Sequence, residues 1–379
     1  MLPAPKTDRI SLADVLPSCV AALTGSSNRL GLPPVNRAVV LLADGLGAEQ
    51  LRQRAGHART LTAALTKTAV MDSGFPTTTA AALATLTTGE RPGQHGLVGY
   101  TALDTGNDRV INQLSGWDDK LDPATWQRVE TVFESASARG VRSVAVGPER
   151  YRDSGFSQAV LRGAEYISAR SIHDRLDAAR EWMDAPGDAG LLYVYVPELD
   201  MAAHARGWEA PEWTDKLETL DGAVKTFSAL LRAGEGLLVT ADHGMVDVPQ
   251  HAHVLIDTEP ELLVGIRHIA GDPRCLQLHF DPDLSSDQRD ALVARWREAE
   301  SERAWIATRA EAIAAGWFGV VAPEVENRIG DFLVAARKNI AYYDGRTATP
   351  SARAMVGQHG SWSTAELKVP LLRFGAFAR

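Results

Sequence analysis

Acidic residues and histidines follow three apolar runs of the sequence, at points where strands would end. Asp44 comes directly after RAVVLLA, Asp200 and His204 lie in PELDMAAHARG, and Asp242 and His243 come directly after GLLVTA. Carboxylate oxygens and neutral imidazole nitrogens are ligands that suit zinc. Asp200 and His204 are four residues apart, which places both on one face of a helical turn. These residues therefore indicate a metal site.

A further histidine, His359, stands in GQHGSW, where the neighbouring glycines leave its imidazole unobstructed. Each candidate also has an ordinary structural explanation. An Asp after a strand is usually a helix N-cap or a turn residue, and a D-x-x-x-H pair can form an i,i+4 hydrogen bond. The occurrence at three strand ends favours metal binding, and three Asp with three His are enough for two metals. His251 and His253 could be extra ligands, but a solvated loop is the better interpretation of both.

The run Thr77-Thr78-Thr79 opens the stretch TTTAAALATLTTG and offers either a helix cap or a nucleophile. A threonine hydroxyl is a weak nucleophile at neutral pH, and metal coordination can activate it. The residues that follow predict a helix over 80–88. A helix N-terminus presents free N–H groups and the positive end of a dipole to a phosphate. One threonine can therefore begin the helix and also attack phosphorus.

Alternating strands and helices would hold these residues in place. Strands are predicted at 37–45, 68–75, 141–147, 189–200 and 236–244, and helices at 129–140, 167–183 and 213–234. This alternation, together with near-continuous apolar strands, predicts a mainly parallel sheet with helices on both faces. Ligands bind outside the carboxyl ends of the strands in open α/β sheets, so the Asp and His residues would meet at one edge.

The pattern changes after about residue 250, where shorter strand-like and helical pieces alternate. The segment 251–350 is predicted to be a small α+β cap insertion. Residues 1–250 and 351–379 would then form the metal-binding catalytic core.

Composition narrows the class of protein. The 379 residues carry a formal net charge of −9, which argues against a general nucleic-acid-binding protein, where a basic face is expected. No apolar run approaches the ~20 residues of a membrane span, and the first residues lack the apolar core of a signal peptide. Cys19 and Cys275 form no CxxC motif, so two reduced thiols are expected. We expect a soluble cytoplasmic protein, and the sequence does not predict its oligomeric state.

The order of these motifs is familiar. LLADGLG, FPTTTAAALATLTTGERPGQHGLVGY, PELDMAAHARG, TADHGMVD and GQHG follow one another along the chain. In this order they resemble the alkaline phosphatase superfamily, and most of all its type I phosphodiesterase / nucleotide pyrophosphatase family. The resemblance implies an alkaline phosphatase-like three-layer α/β/α fold. It also implies hydrolysis of a phosphodiester or pyrophosphate bond in a small phosphate-ester substrate, nucleotide-type or related.

The resemblance further implies a site for two zinc ions. Mn²⁺ would also suit such a site. One ion would be held by Asp200, His204 and His359. The other would be held by Asp44, Asp242, His243 and the oxygen of Thr79. The family pattern Pro-Thr-x-Thr falls on 76–79, so Thr79 is implied to be the nucleophile that forms a phosphothreonine intermediate.

The chain departs from the family pattern at two positions. Ala82 stands three residues after Thr79, and Tyr100 stands four residues after Gly96, where nucleotide-cleaving members usually have asparagine. The Tyr100 hydroxyl could replace the missing amide as a phosphate donor. Other candidates for that role are Asn112, Arg142 and Arg150, while Trp117 and Trp126 are candidates to line a substrate pocket.

Two other functions are alternatives to diester hydrolysis. A phosphomonoesterase or a phosphonate hydrolase would act on a dianion and would need Arg or Lys beside the nucleophile. No such residue stands between Thr79 and Arg91, which favours the diester. A catalytically inactive binding module on the same fold is disfavoured, because such a module could lose the metal ligands and the nucleophile freely.

Overall fold

The structure, a computed structural model, describes residues 1–6, 8–185 and 189–378. Its strands are β1 (Arg37–Ala43), β2 (Val70–Asp72), β3 (Thr101–Asp104), β4 (Arg109–Asn112), β5 (Arg142–Gly147), β6 (Glu165–Ser168), β7 (Gly190–Val196), β8 (Glu235–Thr240), β9 (Val246–Asp247), β10 (His253–Leu255), β11 (Ile266–Asp272), β12 (Cys275–Phe280), β13 (Ala304–Thr308), β14 (Phe332–Ala336), β15 (Ala341–Tyr343), β16 (Gly357–Gln358) and β17 (Lys368–Gly375). Its α-helices are α1 (Val15–Leu23), α2 (Ala48–Gln53), α3 (Arg59–Ala64), α4 (Thr79–Thr88), α5 (Pro92–His95), α6 (Pro123–Trp126), α7 (Val132–Ser137), α8 (Gly155–Val160), α9 (Ile172–Asp184), α10 (Glu198–Arg206), α11 (Pro211–Ala229), α12 (Ser286–Glu300), α13 (Arg309–Ala314), α14 (Pro323–Glu326), α15 (Pro350–Arg353) and α16 (Thr364–Leu367). Each helix in these ranges is too short or too polar to cross a membrane.

The central sheet has the strand order β2-β17-β8-β1-β7-β5-β6. The neighbouring pairs from β8 to β6 are parallel, while β17 runs antiparallel to both β8 and β2. β1 lies in the middle of the sheet, and every one of its residues is buried. The sheet is mainly parallel, as predicted, and burial on both faces explains the continuous apolar runs.

Two groups of helices cover this sheet. In one group α1, α4, α7 and α8 pack together, with α1 and α7 against strands β1, β5 and β7. In the other group α3, α9 and α10 pack around α11, and α9 lies against β5 and β7. The result is the expected three-layer α/β/α arrangement with the apolar core between the layers. Helix α1 also carries Cys19, which, like Cys275 in β12, is a buried free thiol.

The segment 167–183 differs from the predicted helix at its start. Residues Glu165–Ser168 form the edge strand β6, and α9 begins only at Ile172. The Ser171 hydroxyl accepts a hydrogen bond from the N–H of Asp174, and the Asp174 carboxylate accepts one from the N–H of Ser171. This reciprocal cap fixes the helix start, so the residues before Ser171 are free to pair with β5.

A second, antiparallel sheet has the order β13-β14-β12-β11-β3-β4. Strands β11 to β14 lie in the segment 251–350, but β3 and β4 form a hairpin in the part of the chain that the sequence assigned to the core. The hairpin joins this sheet where Thr101 pairs with Gly271. The boundaries of the cap stay a prediction, and the sheet built on that segment extends beyond them.

Buried aromatic side chains pack against the residue that leads into the threonine run. The ring centroid of Phe75, just before the run, lies 4.5 Å from that of Trp362 and 4.8 Å from that of Trp317. All three belong to the main apolar cluster, which also contains Phe318. The backbone that leads into the threonines is therefore supported by buried aromatic rings.

Candidate active site

Three neighbouring strands of the central sheet bring acidic residues to the same edge. β8, β1 and β7 lie side by side, and Asp242, Asp44 and Asp200 follow their carboxyl ends. The N–H of Asp200 donates to the Asp44 carbonyl at 3.1 Å, and the N–H of Gly45 donates to the Asp242 carboxylate at 3.2 Å. Gly45 has a φ of +75°, and a Cβ there would lie 3.1 Å from the Asp200 backbone. The close approach of these loops therefore favours glycine at this position.

Three histidines point the same ring nitrogen, Nε2, toward the acidic residues, and their Nδ1 atoms face the backbone. The Nδ1 atoms of His204, His243 and His359 lie 2.8, 3.2 and 2.8 Å from backbone carbonyl oxygens. A carbonyl only accepts hydrogen bonds, so each Nδ1 carries a proton, and in the neutral ring Nε2 keeps its lone pair. Hydrogen bonds of this kind orient the histidines of metal sites.

Three buried carboxylate oxygens in the same space have no hydrogen-bond donor. They are Oδ1 of Asp44, Oδ1 of Asp200 and Oδ2 of Asp242. A buried carboxylate is normally paired, because an unpaired one carries a large desolvation cost. In their neutral form the histidines opposite present Nε2 lone pairs, which cannot donate to these oxygens. Such a set of nitrogen and oxygen ligands fits divalent cations, and zinc in particular.

One set of ligand atoms comes from α10 and from the loop before α16. Asp200 Oδ1, His204 Nε2 and His359 Nε2 lie 3.3 to 3.8 Å from one another. Burial acts to raise the pKa of Asp200, but the charge of His204 beside it outweighs this and lowers the pKa. Burial acts to lower the pKa of His204, and the Asp200 carboxylate raises it instead, to about 9. The metal-free pair therefore holds a proton that a bound cation would displace.

The second set lies at the ends of β1 and β8. His243 Nε2 lies 3.5 Å from Asp44 Oδ1 and 3.4 Å from Asp242 Oδ2. Burial raises the pKa of Asp44 well above its ordinary value, and the charges of Asp242 and Asp200 raise it further. A divalent cation would offset the electrostatic repulsion between these carboxylates. The rings of His243 and His359 stack with centroids 3.6 Å apart, so the two sets are adjacent.

Thr79 is the first residue of α4 and directs its hydroxyl toward the second set. Thr79 Oγ1 lies 3.2 Å from His243 Nε2. The N-cap residue Thr78 makes no side-chain bond to the helix, and the first intrahelical bond runs from the N–H of Ala82 to the Thr78 carbonyl. The N–H groups at 79–81 have no acceptor within the described part of the chain, so they are available to an anion beside the hydroxyl.

Thr77 is held in a different way. Its hydroxyl donates to the Ser361 carbonyl at 2.8 Å and accepts a hydrogen bond from the N–H of Gly360 at 3.0 Å. Its carbonyl accepts the Nδ1 proton of His359. Thr77 therefore fixes the loop that carries His359, and its hydroxyl is not free to attack a substrate.

Most of the chain matches the sequence model of a known protein family. The sequence model of the type I phosphodiesterase / nucleotide pyrophosphatase family matches residues 38–362. The chain belongs to this family. The match contains every residue of the two ligand sets and Thr79, so the family motifs and the cluster of side chains coincide.

Individual relatives of the family give the extent of the likeness. An uncharacterized pyrophosphatase/phosphodiesterase of Schizosaccharomyces pombe is 25% identical over 194 residues, which are 48% of this chain and 39% of the yeast protein. Murine ectonucleotide pyrophosphatase / phosphodiesterase 5, solved as an inactive threonine-to-alanine variant with AMP, has a TM-score of 0.69 at 14% identity over 90% of this chain and 88% of its own. The human counterpart has a TM-score of 0.67 at 15% identity over 89% and 87%. These structures confirm the alkaline phosphatase-like α/β fold.

The two positions that depart from the family pattern lie in different elements, Ala82 in α4 and Tyr100 directly before β3. Ala82 is buried in the first turn of α4. Tyr100 is 37% exposed, and its backbone N–H donates to the Asp272 carboxylate at 3.3 Å. No described hydrogen bond holds the Tyr100 hydroxyl, so its predicted role as a phosphate donor stays a prediction.

The three other candidate phosphate donors occupy different places. The Asn112 carboxamide oxygen accepts the N–H groups of the turn after β4. Arg142 stands at the amino end of β5 and pairs with Glu165, so it lies at the edge of the sheet opposite the clustered aspartates. Arg150 donates to the sulfur of Met201, the residue after Asp200. The structure therefore brings only Arg150 of these three beside the ligand-bearing helix α10.

The aromatic and histidine candidates do not join the site. The indole N–H groups of Trp117 and Trp126 both donate to Gln113, and neither ring lines the pocket beside Thr79. His251 is exposed, and His253 packs its ring 4.7 Å from that of Tyr343. Neither histidine belongs to the groups of described side chains that could hold a metal.

Two side chains at the site carried no motif in the sequence. The hydroxyl of Tyr195 in β7 donates to Asp44 Oδ2 at 2.5 Å. Asp272 ends β11 and lies beside the Thr78 hydroxyl, and burial raises the pKa of its carboxyl group to about 7. Tyr193 and Tyr195 are two residues apart in β7, so strand alternation places both side chains on the same face of the sheet. Nothing in the sequence indicated Asp272, because its position depends on the pairing of two distant segments.

Proposed function

We propose that this protein hydrolyses a phosphodiester or pyrophosphate bond of a small molecule, nucleotide-type or related, through a phosphothreonine intermediate at a two-zinc site. The observation that carries the proposal is the Thr79 hydroxyl, 3.2 Å from His243 Nε2 at the N-terminus of α4. Membership of the type I phosphodiesterase / nucleotide pyrophosphatase family supports this chemistry. The murine relative, in which a threonine-to-alanine variant is described as inactive and bound to AMP, supports a catalytic threonine.

The choice of zinc follows from the ligand chemistry. Mixed carboxylate and imidazole ligands suit Zn²⁺, and Mn²⁺ is the next candidate. The two ions would carry four positive charges, and three aspartates with a Thr79 alkoxide carry four negative ones. A site that is neutral in this way is suited to a substrate with a single negative charge, as a phosphodiester has.

The chain's own residues account for the steps of the reaction. Two divalent cations, when bound, would supply the positive charge that lowers the pKa of the threonine hydroxyl and stabilises the transition state. Thr79 Oγ1 forms a bond to phosphorus while the bond to the departing ester oxygen breaks, and that oxygen takes up a proton. The N–H groups at 79–81 orient the phosphate. Water then cleaves the phosphothreonine, which restores the hydroxyl and releases the phosphate monoester.

The first test compares Thr79 variants on a chromogenic diester. Thr79→Ala in zinc-loaded protein should lower hydrolysis of bis(4-nitrophenyl) phosphate by at least about a thousandfold, because the nucleophile is gone. Thr79→Ser is the matched control, since it retains a hydroxyl and should keep measurable activity. Acid-quenched wild type should carry a phosphate on Thr79 by mass spectrometry.

Two results would contradict the proposal. One is full activity of Thr79→Ala, which would show that another group attacks phosphorus. The other is a purified protein with full activity and no metal after treatment with a chelator. Faster hydrolysis of 4-nitrophenyl phosphate than of the diester would instead indicate a monoesterase.

A further inference from the structure

A polar pocket lies on the second sheet, apart from the clustered aspartates and histidines. Its volume is about 460 Å³, and three arginines line it, Arg267, Arg289 and Arg309. This arginine pocket is formed where β11 begins and β12 ends, with α12 and α13 beside them. Arg267 is five residues from Asp272, the residue of β11 that lies beside the Thr78 hydroxyl. At 3.3 Å per residue the pocket is therefore ~16 Å from that part of the active site.

The acidic groups of the arginine pocket already have partners. The Asp108 carboxylate accepts hydrogen bonds from the Arg267 guanidinium and lies 2.8 Å from Nε2 of His268. The Asp331 carboxylate accepts one bond from Arg309 at 2.9 Å and another from a backbone N–H at 2.8 Å. Both carboxylates are therefore occupied within the wall of the pocket.

The hydrogen-bond donors of the pocket are only partly used. Arg289 makes no ion pair in the described part of the chain; it donates to the Pro282 carbonyl at 3.2 Å, and its guanidinium lies over the Phe280 ring. Its buried Nε–H has no acceptor. A guanidinium has five N–H donors, so Arg267 and Arg309 also keep some beyond those that they give to protein oxygens. The spare capacity of the pocket therefore suits a ligand that accepts hydrogen bonds.

A buried histidine in the wall also lacks a partner. The His279 side chain is 3% exposed and lines the pocket, and its Nε2 has no hydrogen-bond partner in the ranges that the structure describes. Burial lowers the pKa of His279 to about 4, so the ring is neutral at pH 7 and can donate one hydrogen bond. Buried polar atoms are normally paired, so His279 marks a position for a polar atom of a ligand.

We propose that the arginine pocket binds the phosphate group of a small phosphate monoester, at a site separate from the catalytic centre. Its three guanidinium groups exceed its two carboxylates by one positive charge, which favours an anion. Arginine suits phosphate because its planar fork donates to two oxygens at once. The donors come from two strands and two helices, and a tetrahedral phosphate presents oxygens in more directions than a planar carboxylate. The inference does not depend on the proposed function.

The pocket has room for more than the phosphate. Its volume falls within the ~300–1,000 Å³ of pockets that hold small organic ligands. A second pocket of about 330 Å³ adjoins it and shares Phe280, Arg289 and Arg309 with it. The half-buried Phe280 side chain offers an apolar surface to the ester group. We therefore expect an aromatic phosphate monoester to bind more tightly than inorganic phosphate.

The test titrates the full chain with phenyl phosphate by isothermal calorimetry, both zinc-loaded and after treatment with a chelator. The aspartate cluster repels a phosphate when no cation is bound, so the binding that survives the chelator reports the arginine pocket. Phenyl phosphate should bind at least about threefold more tightly than inorganic phosphate, through its contact with Phe280. Acetate should bind at least about tenfold more weakly than inorganic phosphate, since it has one charge and two oxygens.

Two variants on α12 tie the binding to the pocket. Arg289→Met should weaken the chelator-resistant binding by about tenfold or more, because bonds to a charged group are lost. Arg295→Met is the matched control, since Arg295 is exposed, donates to the Glu261 carbonyl and does not line the pocket. Its affinity should stay within about twofold of wild type. His279→Phe keeps a ring without its nitrogens and should weaken binding by about threefold or more.

Three results would contradict the inference. One is no binding of phenyl phosphate to chelator-treated wild type at concentrations up to ~10 mM. Another is equal affinity of Arg289→Met and wild type, and the third is acetate that binds as tightly as phosphate. Thr79→Ala should leave the chelator-resistant binding unchanged, and a loss there would place the phosphate at the catalytic centre instead. Hydrolysis that depends on Thr79 tests the proposed function separately.

Discussion

Three consecutive threonines with the same side chain contact three different parts of the site. The hydroxyl of Thr77 is bonded to the loop of His359, that of Thr78 lies beside Asp272, and that of Thr79 faces His243. The backbone makes the difference, since Thr78 is extended with φ −133° and ψ 142° while α4 begins at the next residue. Residue type could not separate them, and only the register of the Pro-Thr-x-Thr pattern selected Thr79 in the sequence.

Thr77→Val should destabilise the protein and weaken metal retention. The substitution keeps the shape of the side chain but leaves the buried N–H of Gly360 and the carbonyl of Ser361 without the threonine hydroxyl. We expect a loss of about 1–3 kcal/mol in the free energy of unfolding, measured by urea denaturation. The amount of zinc kept after dialysis should also fall, because the neighbouring His359 loop is less constrained.

A control for Thr77→Val is Thr219→Val. Thr219 lies on the exposed face of α11, where its hydroxyl donates to the Asp215 carbonyl. A change there should stay within about 0.5 kcal/mol. If Thr77→Val were as stable as this control and kept its zinc, the hydroxyl of Thr77 would have no role in supporting the site.

At the scale of elements, the sequence predicted the strands that local apolar runs mark. Strands β1, β5, β7 and β8 are buried on both faces, so their apolar runs were visible without tertiary information. The edge strand β6 was not predicted, because its residues are partly exposed and resemble the start of the helix that follows. The side chains after the buried strands could be predicted to meet, since the ends of neighbouring parallel strands share one edge.

Less of the second sheet could be predicted from local patterns. Its strand β11 pairs with β3 across 170 residues, a contact that no local pattern encodes. The family motif alone placed His359 with Asp200 and His204, since its loop reaches the site through tertiary packing. The clustered aspartates and histidines at strand ends were therefore predictable from residues, whereas the positions of the late histidine and Asp272 were not.

A buried ion pair connects the second sheet to the loops of two histidines. Arg274, directly before β12, donates to both carboxylate oxygens of Glu366, and neither side chain is exposed. The Glu366 carboxylate accepts the N–H of Ser361, and the Glu366 carbonyl accepts the N–H of Gly244. The pair thus lies behind the loops that carry His359 and His243, and it should position both.

Arg274→Met should therefore weaken the stabilisation that zinc adds. The variant leaves the Glu366 charge buried without its partner, which costs about 3–5 kcal/mol in unfolding free energy. Beyond that loss, the rise in melting temperature between chelator-treated and zinc-loaded protein should be smaller than in wild type, because the histidine loops are less ordered. Differential scanning fluorimetry measures both quantities.

Arg180→Met provides the matched control. Arg180 pairs with the largely buried Glu235 at the opposite end of β8. This variant should also be destabilised, but the rise in melting temperature on adding zinc should equal that of wild type. Equal zinc-induced rises in Arg274→Met and wild type would show that the buried pair supports the fold without positioning the histidines.

At the scale of the whole molecule, the two ends of the central sheet differ in their charge chemistry. The clustered aspartates follow the carboxyl ends of β1, β7 and β8, and their negative charges repel one another in the metal-free protein. The amino end of β8 carries Glu235, whose carboxylate receives two bonds from Arg180 at 2.7 and 2.9 Å. Acid should therefore act on the molecule through two independent routes, protonation of the ligand cluster and protonation of this ion pair.

The ion-pair route predicts a specific pH dependence of stability. Burial acts to raise the pKa of Glu235, but the bonds from Arg180 outweigh this and lower it below its ordinary value of 4.5. A carboxyl group with a lowered folded-state pKa stabilises the protein above the unfolded-state pKa, and this contribution is lost as pH falls through the folded-state pKa. The difference in unfolding free energy between wild type and Glu235→Gln should therefore shrink between about pH 5 and pH 3, by about 1.4 kcal/mol for each unit of lowered pKa. Urea denaturation of chelator-treated proteins measures it, because titration of the distant aspartate cluster is the same in both and cancels. If the difference in unfolding free energy between the two proteins stays constant over this range, the ion pair of Glu235 with Arg180 adds nothing to the stability of the protein.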